Sequence, residues 1–258
     1  MNCKDAIVVM DSGIGGISLL YACHKIMPYE DLTFYGDCAF APYGDKSKEQ
    51  VANRVLDLAS TFFSNGAKAL ALACNTATSA AADLLRKTWP EKIIVGLEPA
   101  LKPAVAQYPN KQIFVLATAL TIQEEKFQKL FAPYQEKKNI LPLPCPGLMN
   151  LMEEEAPFSA VAAYLEEKIA PLVQTIDPVF VLGCTHYIFL PPTLKKLWPQ
   201  CHLIHGNIAA AQYLANRLAE QNMCSKEKKE GTIAYYASAK EVEFQQKCQR
   251  FWYRMKEE

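Results

Sequence analysis

No run of the 258-residue chain stays apolar for the ~18 positions that a membrane-crossing helix needs, so no helical span is expected. Neither sign of charge is in excess: 27 Lys and Arg stand against 27 Asp and Glu. A nucleic-acid backbone or an anionic membrane surface would therefore have to be held by a local patch. The opening stretch has one lysine and an unbroken apolar run of only five residues before Asp11, too little for a secretory leader, and a cytoplasmic location is expected. Nine cysteines are present without a Cys-x-x-Cys pair or a regular framework, in a chain too large to need staples, and reduced thiols are expected. Low-complexity tracts are missing as well. What remains is a globular composition, 50% hydrophobic and 21% charged, with a length that suits one large domain or two compact ones.

Short runs rich in Val, Ile, Leu and Phe alternate with longer segments of helical period, the pattern of βα repeats and a parallel sheet. The runs are Ala6–Met10, Leu32–Tyr35, Ala69–Ala73, Ile93–Val95, Ile113–Leu116, Ile140–Leu143, Val179–Leu182 and His202–Ile204. Ser47-Lys-Glu-Gln50 spells a capping box ahead of Val51, Val55, Leu58, Ala59 and Phe62, with Gly66 as the stop. Thr121-Ile-Gln-Glu124 reads as a second capping box, ahead of Phe127, Leu130 and Phe131.

The plan also repeats. A strand at Ile7–Met10 meets a polar turn at Asp11-Ser12, and a later strand ends at Cys74-Asn75-Thr76; a strand at Ile113–Leu116 meets Thr118, and a later strand ends at Cys184-Thr185-His186. Ile113 follows Ile7 by 106 positions and Cys184 follows Cys74 by 110. Two similar, pseudo-twofold related α/β domains are expected, with mainly parallel sheets flanked by helices and an active site in the cleft between them. Residues 1–97 with 208–258 would form the first and 98–207 the second, with Glu98-Pro99 as the first crossing. The lysine-rich turn Lys226–Gly231, a strand at Thr232–Tyr236 and a helix from about Lys240 would pack back on the first half. The aromatic pairs Tyr235-Tyr236 and Trp252-Tyr253 read as core and docking surface.

Chemistry gathers at strand ends. The turn in Asp11-Ser-Gly-Ile-Gly-Gly16 offers backbone N–H groups to an anion, yet has neither the G-x-G-x-x-G spacing nor the lysine that nucleotide phosphates require. A carboxylate is the better ligand for it, and a plain βα turn capped by Asp11 is the alternative. Pro42-Tyr43-Gly44 reads as a stiff turn at the carboxyl edge where α/β sheets bind ligands. Cys74 and Cys184 each stand between an apolar strand and a helix start, where orphan N–H groups and the macrodipole favour a thiolate. Cysteine is often merely buried, which would explain one of them, but not a matched pair. Two thiols across one substrate can invert a stereocentre without a cofactor, one removing the proton and the other returning one.

The whole chain resembles the glutamate racemases of the cofactor-independent aspartate/glutamate racemase superfamily. The matching motifs are D-S-G-I-G-G at Asp11–Gly16, A-P-Y-G-D-K-S at Ala41–Ser47, A-C-N-T-A at Ala73–Ala77, G-L-E-P at Gly96–Pro99, L-A-T-x-x-T-I at Leu116–Ile122, Cys145-Pro146 with Glu153 beyond, and L-G-C-T-H-Y at Leu182–Tyr187. The resemblance implies that Cys74 takes the α-proton from D-glutamate and Cys184 from L-glutamate, supplying D-glutamate for peptidoglycan. It places Asp11, Glu153 and His186 as assisting groups, and Ser12, Pro42, Tyr43, Gly44, Asn75, Thr76, Thr118, Thr121 and Thr185 around the substrate. No cofactor and no metal are implied.

Three departures from the family pattern stand out. Glu155 occupies the usual glycine position within the acidic run Glu153-Glu154-Glu155, His205 replaces an aspartate, and Glu124 replaces a serine. Helix capping by Asn207 and Glu124 would accommodate the last two. Competing readings are an aspartate racemase with the same thiols, a thiol hydrolase with His186 as base, a Cys184–His186 metal site, and a scaffold that binds an amino acid without turnover. The partners expected are a small-molecule substrate and, in a homodimer, a second copy of the chain, with no nucleic acid and no membrane.

Overall fold

The computed structural model describes residues 1, 3–227 and 229–257. Nine strands alternate with the helices: β1 Ile7–Asp11, α1 Ile17–Ile26, β2 Leu32–Gly36, α2 Lys48–Ser64, β3 Ala69–Leu72, α3 Asn75–Thr88, β4 Ile93–Gly96, α4 Leu101–Gln107, β5 Ile113–Ala117, α5 Ala119–Gln123, α6 Glu125–Phe131, β6 Ile140–Pro144, α7 Leu148–Glu153, α8 Phe158–Lys168, β7 Val179–Leu182, α9 Pro191–Leu197, β8 His202–Ile204, α10 Asn207–Glu220, β9 Ile233–Ala237 and α11 Glu241–Glu257. The chain divides into two compact units, Met1–Leu97 with Gly206–Glu258, and Glu98–His205.

Each unit holds one sheet whose pairs are all parallel. The orders are β4-β3-β1-β2-β9 and β6-β5-β7-β8. Read from the other edge, the second is β8-β7-β5-β6, so the two units repeat one strand plan, and β9 extends the first sheet beyond β2. Two α/β units of parallel strands flanked by helices are thus what the alternation of runs predicts.

Every residue of β1, β3, β5 and β7 is buried, which explains why these strands read as unbroken apolar runs instead of alternating ones. Strand alternation splits the second unit's core. Phe114, Leu116, Phe180 and Leu182 pack on one face with Leu148, Leu165 and Leu190. Ile113, Val115, Val179 and Val181 pack on the other with Leu101, Ala104 and Phe127. Each face buries its own helices.

The Ser47–Gln50 capping box forms as spelled, and Gly66 takes φ +91° just past the end of α2. The second box does not form. Thr118, in extended conformation at the end of β5, is the N-cap of α5 and accepts from the Thr121 N–H, so Thr121 lies inside that helix. Glu124 then takes ψ 140°, which ends α5 and starts α6 without a side-chain cap. Asn207 likewise does not cap α10: it is the first helical residue, behind Gly206. The helix beginning near Lys240 packs by Trp252 against Tyr21 and His24 of α1, whereas Tyr253 is exposed. No helix among the described residues is long and apolar enough to cross a membrane.

The return of the chain to the first sheet is held at one crossing; of the lysine-rich turn there, Lys228 lies outside the described residues. Buried Glu30 pairs with Lys68 and accepts from the Ser225 N–H, while Asp31 accepts from both the N–H and the hydroxyl of Thr232. Those two donors hold the Asp31 carboxyl below its ordinary value. Gly231 passes so close to Glu30 that a Cβ would lie 2.1 Å from its carbonyl oxygen. Backbone cannot yield as a side-chain tip can, so Gly231→Ala is expected to lower stability by ~1–3 kcal/mol. A urea midpoint unchanged from the parent would refute this account of the crossing.

Candidate active site

In the first unit, β1 and β3 run side by side and end together, with Met10 opposite Leu72. Asp11, fully buried, turns its carboxylate back onto the glycine turn and accepts from the N–H groups of Gly13 at 3.2 Å and Gly16 at 3.0 Å. A Cβ on Gly16 would lie 2.6 Å from the Asp11 Cβ and 2.9 Å from that of Ala73, so this position has no room for a side chain. Asp11 therefore organises the turn and does not cap α1, whose N-cap is Gly16.

Cys74 is the N-cap of the 14-residue α3, with φ −66° and ψ 118°. Its sulfur accepts from the Ala77 N–H at 3.5 Å, and the Ser12 hydroxyl donates to it at 3.6 Å. Backbone N–H and helix dipole are both aimed at the thiol, an arrangement that favours the thiolate. Asn75 and Thr76 follow, both buried. Neither amide atom of Asn75 has a hydrogen-bond partner, although the residue is only 4% exposed. A buried amide with idle donor and acceptor is costly, and this one lies directly after Cys74.

The turn after β2 is built on a group that the sequence reading passed over. Asp37 is completely buried and accepts from Tyr43 Oη at 2.7 Å and from Arg54 Nε and Nη2 at 2.8 and 2.6 Å. Burial opposes its charge, but the Arg54, Tyr43 and Ser238 donors prevail and hold it below the usual carboxylate range. Tyr43 itself is buried; desolvation and the Asp37 charge push its phenol far up, so it stays a donor. Pro42, after a cis peptide bond, and Gly44 flank it in a short 3-10 turn. The signal for Asp37 was its place directly beyond Gly36, at the carboxyl end of a buried strand. Nothing in the spacing tied it to Arg54 on α2.

In the second unit, Thr118 just past β5 and fully buried Thr121 in the first turn of α5 have their hydroxyls 2.9 Å apart. Cys184 follows β7 as the strand pattern predicts, but no regular α-helix starts there. A 3-10 turn, Thr185–Phe189, intervenes before α9, and no backbone N–H caps the Cys184 side chain. The neighbour of this sulfur is instead His186 Nδ1, at 3.9 Å, with the Thr185 hydroxyl 3.5 Å from the same nitrogen. On the far side His186 Nε2 meets Glu153 Oε2 at 2.7 Å. The imidazole is 1% exposed and the carboxylate 29%. Of the acidic run, Glu153 is the residue that faces the imidazole, while Glu154 and Glu155 are exposed. Among the described residues no group of three metal-ligating side chains comes together.

The model of the Asp/Glu/Hydantoin racemase family matches residues 19–214. The chain belongs to that family. Among its curated relatives are the glutamate racemase of Clostridium perfringens, 38% identical over 88% of each chain, and that of Clostridium botulinum, 39% identical over 92% of this chain and 93% of the other. Among solved structures, glutamate racemase from Thermus thermophilus in complex with beta-chloro-D-alanine superposes with a TM-score of 0.78 at 25% identity, covering 97% of this chain and 94% of that one.

Two predictions follow from the local geometry. Arg54→Met strips the buried Asp37 of its main partner and is expected to cost about 2 kcal/mol, below the ~3–5 of a fully buried pair because the Arg54 side chain is 31% exposed. A carboxyl held low in the folded state contributes stability above its unfolded pKa and loses it as pH falls through the folded one. Without Arg54 the acid-unfolding midpoint should therefore move to higher pH; a midpoint unmoved in an acid titration counts against the pair. Glu155, at the family's usual glycine position, takes φ +51°, a left-handed conformation that costs a side-chain-bearing residue about 1 kcal/mol. Glu155→Gly should raise the urea midpoint by the equivalent of ~0.5 kcal/mol or more, and a fall would show that the Glu155 side chain matters more than its backbone.

Proposed function

We propose that the chain is a glutamate racemase that interconverts L- and D-glutamate by proton transfer between two thiols, yielding D-glutamate of the kind used in peptidoglycan. The observation that carries this reading is the pairing of Cys74 and Cys184. They follow β3 and β7, equivalent strands of one repeated plan, and each has its own proton-handling neighbours. The curated glutamate racemases, similar along most of the chain, support the choice of substrate.

Cys74 is the base toward D-glutamate and Cys184 the base toward L-glutamate. In one direction the Cys74 thiolate takes the α-proton and the Cys184 thiol gives its own to the opposite face; the reverse direction exchanges the roles. Asp11 orders the turn beside Cys74, and His186, backed by Glu153, serves Cys184. Ser12, Asn75, Thr76, Thr118, Thr121 and Thr185, with the Pro42-Tyr43-Gly44 turn, supply donors to the two carboxylates and the amino group. Donors fixed before substrate arrives stabilise charge that moves onto the α-carboxylate as the proton leaves, without reorganisation at the moment of reaction. The idle amide of Asn75 fits that role.

A second reading has one observation in its favour. Cys184, His186 and Glu153 stand in the order of a thiol hydrolase, nucleophile, base and orienting acid. It leaves Cys74 and Asn75 without work.

Purified protein incubated in deuterated water with L-glutamate, D-glutamate and both aspartate enantiomers, with no added cofactor, is expected to place deuterium at the α-carbon and erase optical activity with glutamate alone. Cys74→Ser and Cys184→Ser should each reduce racemisation by ~10²-fold or more, since serine is a far weaker acid-base group. Full activity in either variant overturns the two-thiol reading. Exchange with aspartate instead would shift the substrate, and amide or ester hydrolysis without α-exchange would favour the hydrolase.

A further inference from the structure

We propose that Tyr187 is a positioning residue, whose hydroxyl ties the start of α7 to the turn carrying Cys184 and His186 and so holds Glu153 against the imidazole. The catalytic meaning of this contact rests on the function proposed above. The geometry does not.

Glu153 is the last residue of a helix six residues long, behind a left-handed Gly147 with no side-chain cap. A helix that short has little stability of its own, so its place is set by whatever grips its ends. At the leading end, the Cys145 N–H donates to the Ala117 carbonyl at 3.0 Å, which anchors the turn to β5. The Cys145 carbonyl accepts from Tyr187 Oη at 3.2 Å and, more weakly, from the Leu148 N–H at 3.4 Å. One residue on, the Pro146 carbonyl accepts from Tyr164 Oη at 3.0 Å.

Tyr187 is rooted in the very turn it serves, because its N–H donates to the Cys184 carbonyl at 3.0 Å. The contacts thus close a ring: the turn after Cys184, the Tyr187 hydroxyl, the Cys145 carbonyl, α7, Glu153 and back to His186. Tyr187 is fully buried within a hydrophobic cluster, where phenylalanine would fill almost the same space. A hydroxyl in such a place is unfavourable unless bonded, so the bond to Cys145 is what tyrosine adds. Burial first, and then the neighbouring Cys184 and Cys145 thiols, push the phenol well above its ordinary value, which keeps it a donor.

The test reads the His186–Glu153 contact directly, as the ring N–H resonance of His186 and its exchange with water by nuclear magnetic resonance. Four proteins are compared: the parent, Tyr187→Phe, Glu153→Gln and the double variant. Glu153→Gln should move the resonance upfield and speed its exchange. Tyr187→Phe should speed exchange by ~10-fold, the scale of one hydrogen bond, and add nothing in the Glu153→Gln background. With L-glutamate, Tyr187→Phe should lower kcat several-fold and leave KM nearly unchanged. An unaltered His186 resonance in Tyr187→Phe, or effects that multiply in the double variant, overturns the proposal. Should Tyr187→Phe fail to fold, Tyr164→Phe carries the same test through the Pro146 carbonyl, with a smaller shift in the same direction expected and none refuting it. Because the resonance does not depend on turnover, the expected spectra in a protein that does not racemise glutamate would sink the proposed function and leave this inference standing.

Discussion

Complete burial of two adjacent parallel strands in each unit is the constraint from which the rest of the molecule derives. With helices on both faces, β1, β3, β5 and β7 have no polar position before their last residue. Polar chemistry can begin only where such a strand stops. Asp11, Cys74, Thr118 and Cys184 all stand at or just beyond those ends. Parallel pairing aligns the ends within each sheet, because the register that sets Met10 against Leu72 and Leu116 against Leu182 leaves both carboxyl termini on one edge. Within each unit, the candidate residues are neighbours as a consequence of how the apolar runs are buried.

The same plan yields two different thiols. Cys74 meets a 14-residue helix, and its sulfur is served by backbone and by Ser12. Cys184 meets a five-residue 3-10 turn, and its sulfur is served by an imidazole with a carboxylate behind it. A backbone donor and a helix dipole are fixed in charge; an imidazole can take or release a proton. Under the proposed two-thiol reaction, such unlike supports would make substitutions around the two sulfurs affect the two directions unequally.

Much of this was legible in the chain. The strands lie where the Val, Ile, Leu and Phe runs place them, with bounds shifted by about one residue, and the signal is densest for β1, β3, β5 and β7, which are buried throughout. The repeated order of strands was legible in the spacing of Ile7, Cys74, Ile113 and Cys184. Less legible were features set by contacts distant in sequence. Thr121-Ile-Gln-Glu124 has the letters of a capping box, yet Thr118 caps the helix because the end of β5 already holds it in extended conformation. The turn after Cys184 is not a full helix start, since the α-helix waits for Pro191-Pro192. Arg54 reaches Asp37 from a helix, and Tyr187 reaches Cys145 across 42 positions, and no local pattern announces either bond.

Three places where folding rules are broken lie outside the buried strands. Asp37 is a charge with no exposure, Asn75 an amide with no partner, and Glu155 a left-handed residue where glycine would be easier. Each costs stability that an apolar or permissive residue would have kept. Their neighbours explain the selection: Asp37 holds the turn of Tyr43, Asn75 adjoins Cys74, and Glu155 ends the short helix that delivers Glu153 to His186. The Asn75 amide forms no hydrogen bond that would offset its burial, and under the proposed function a ligand with both a donor and an acceptor would supply one. Glutamate, the proposed substrate, is such a ligand: a zwitterion with a second carboxylate.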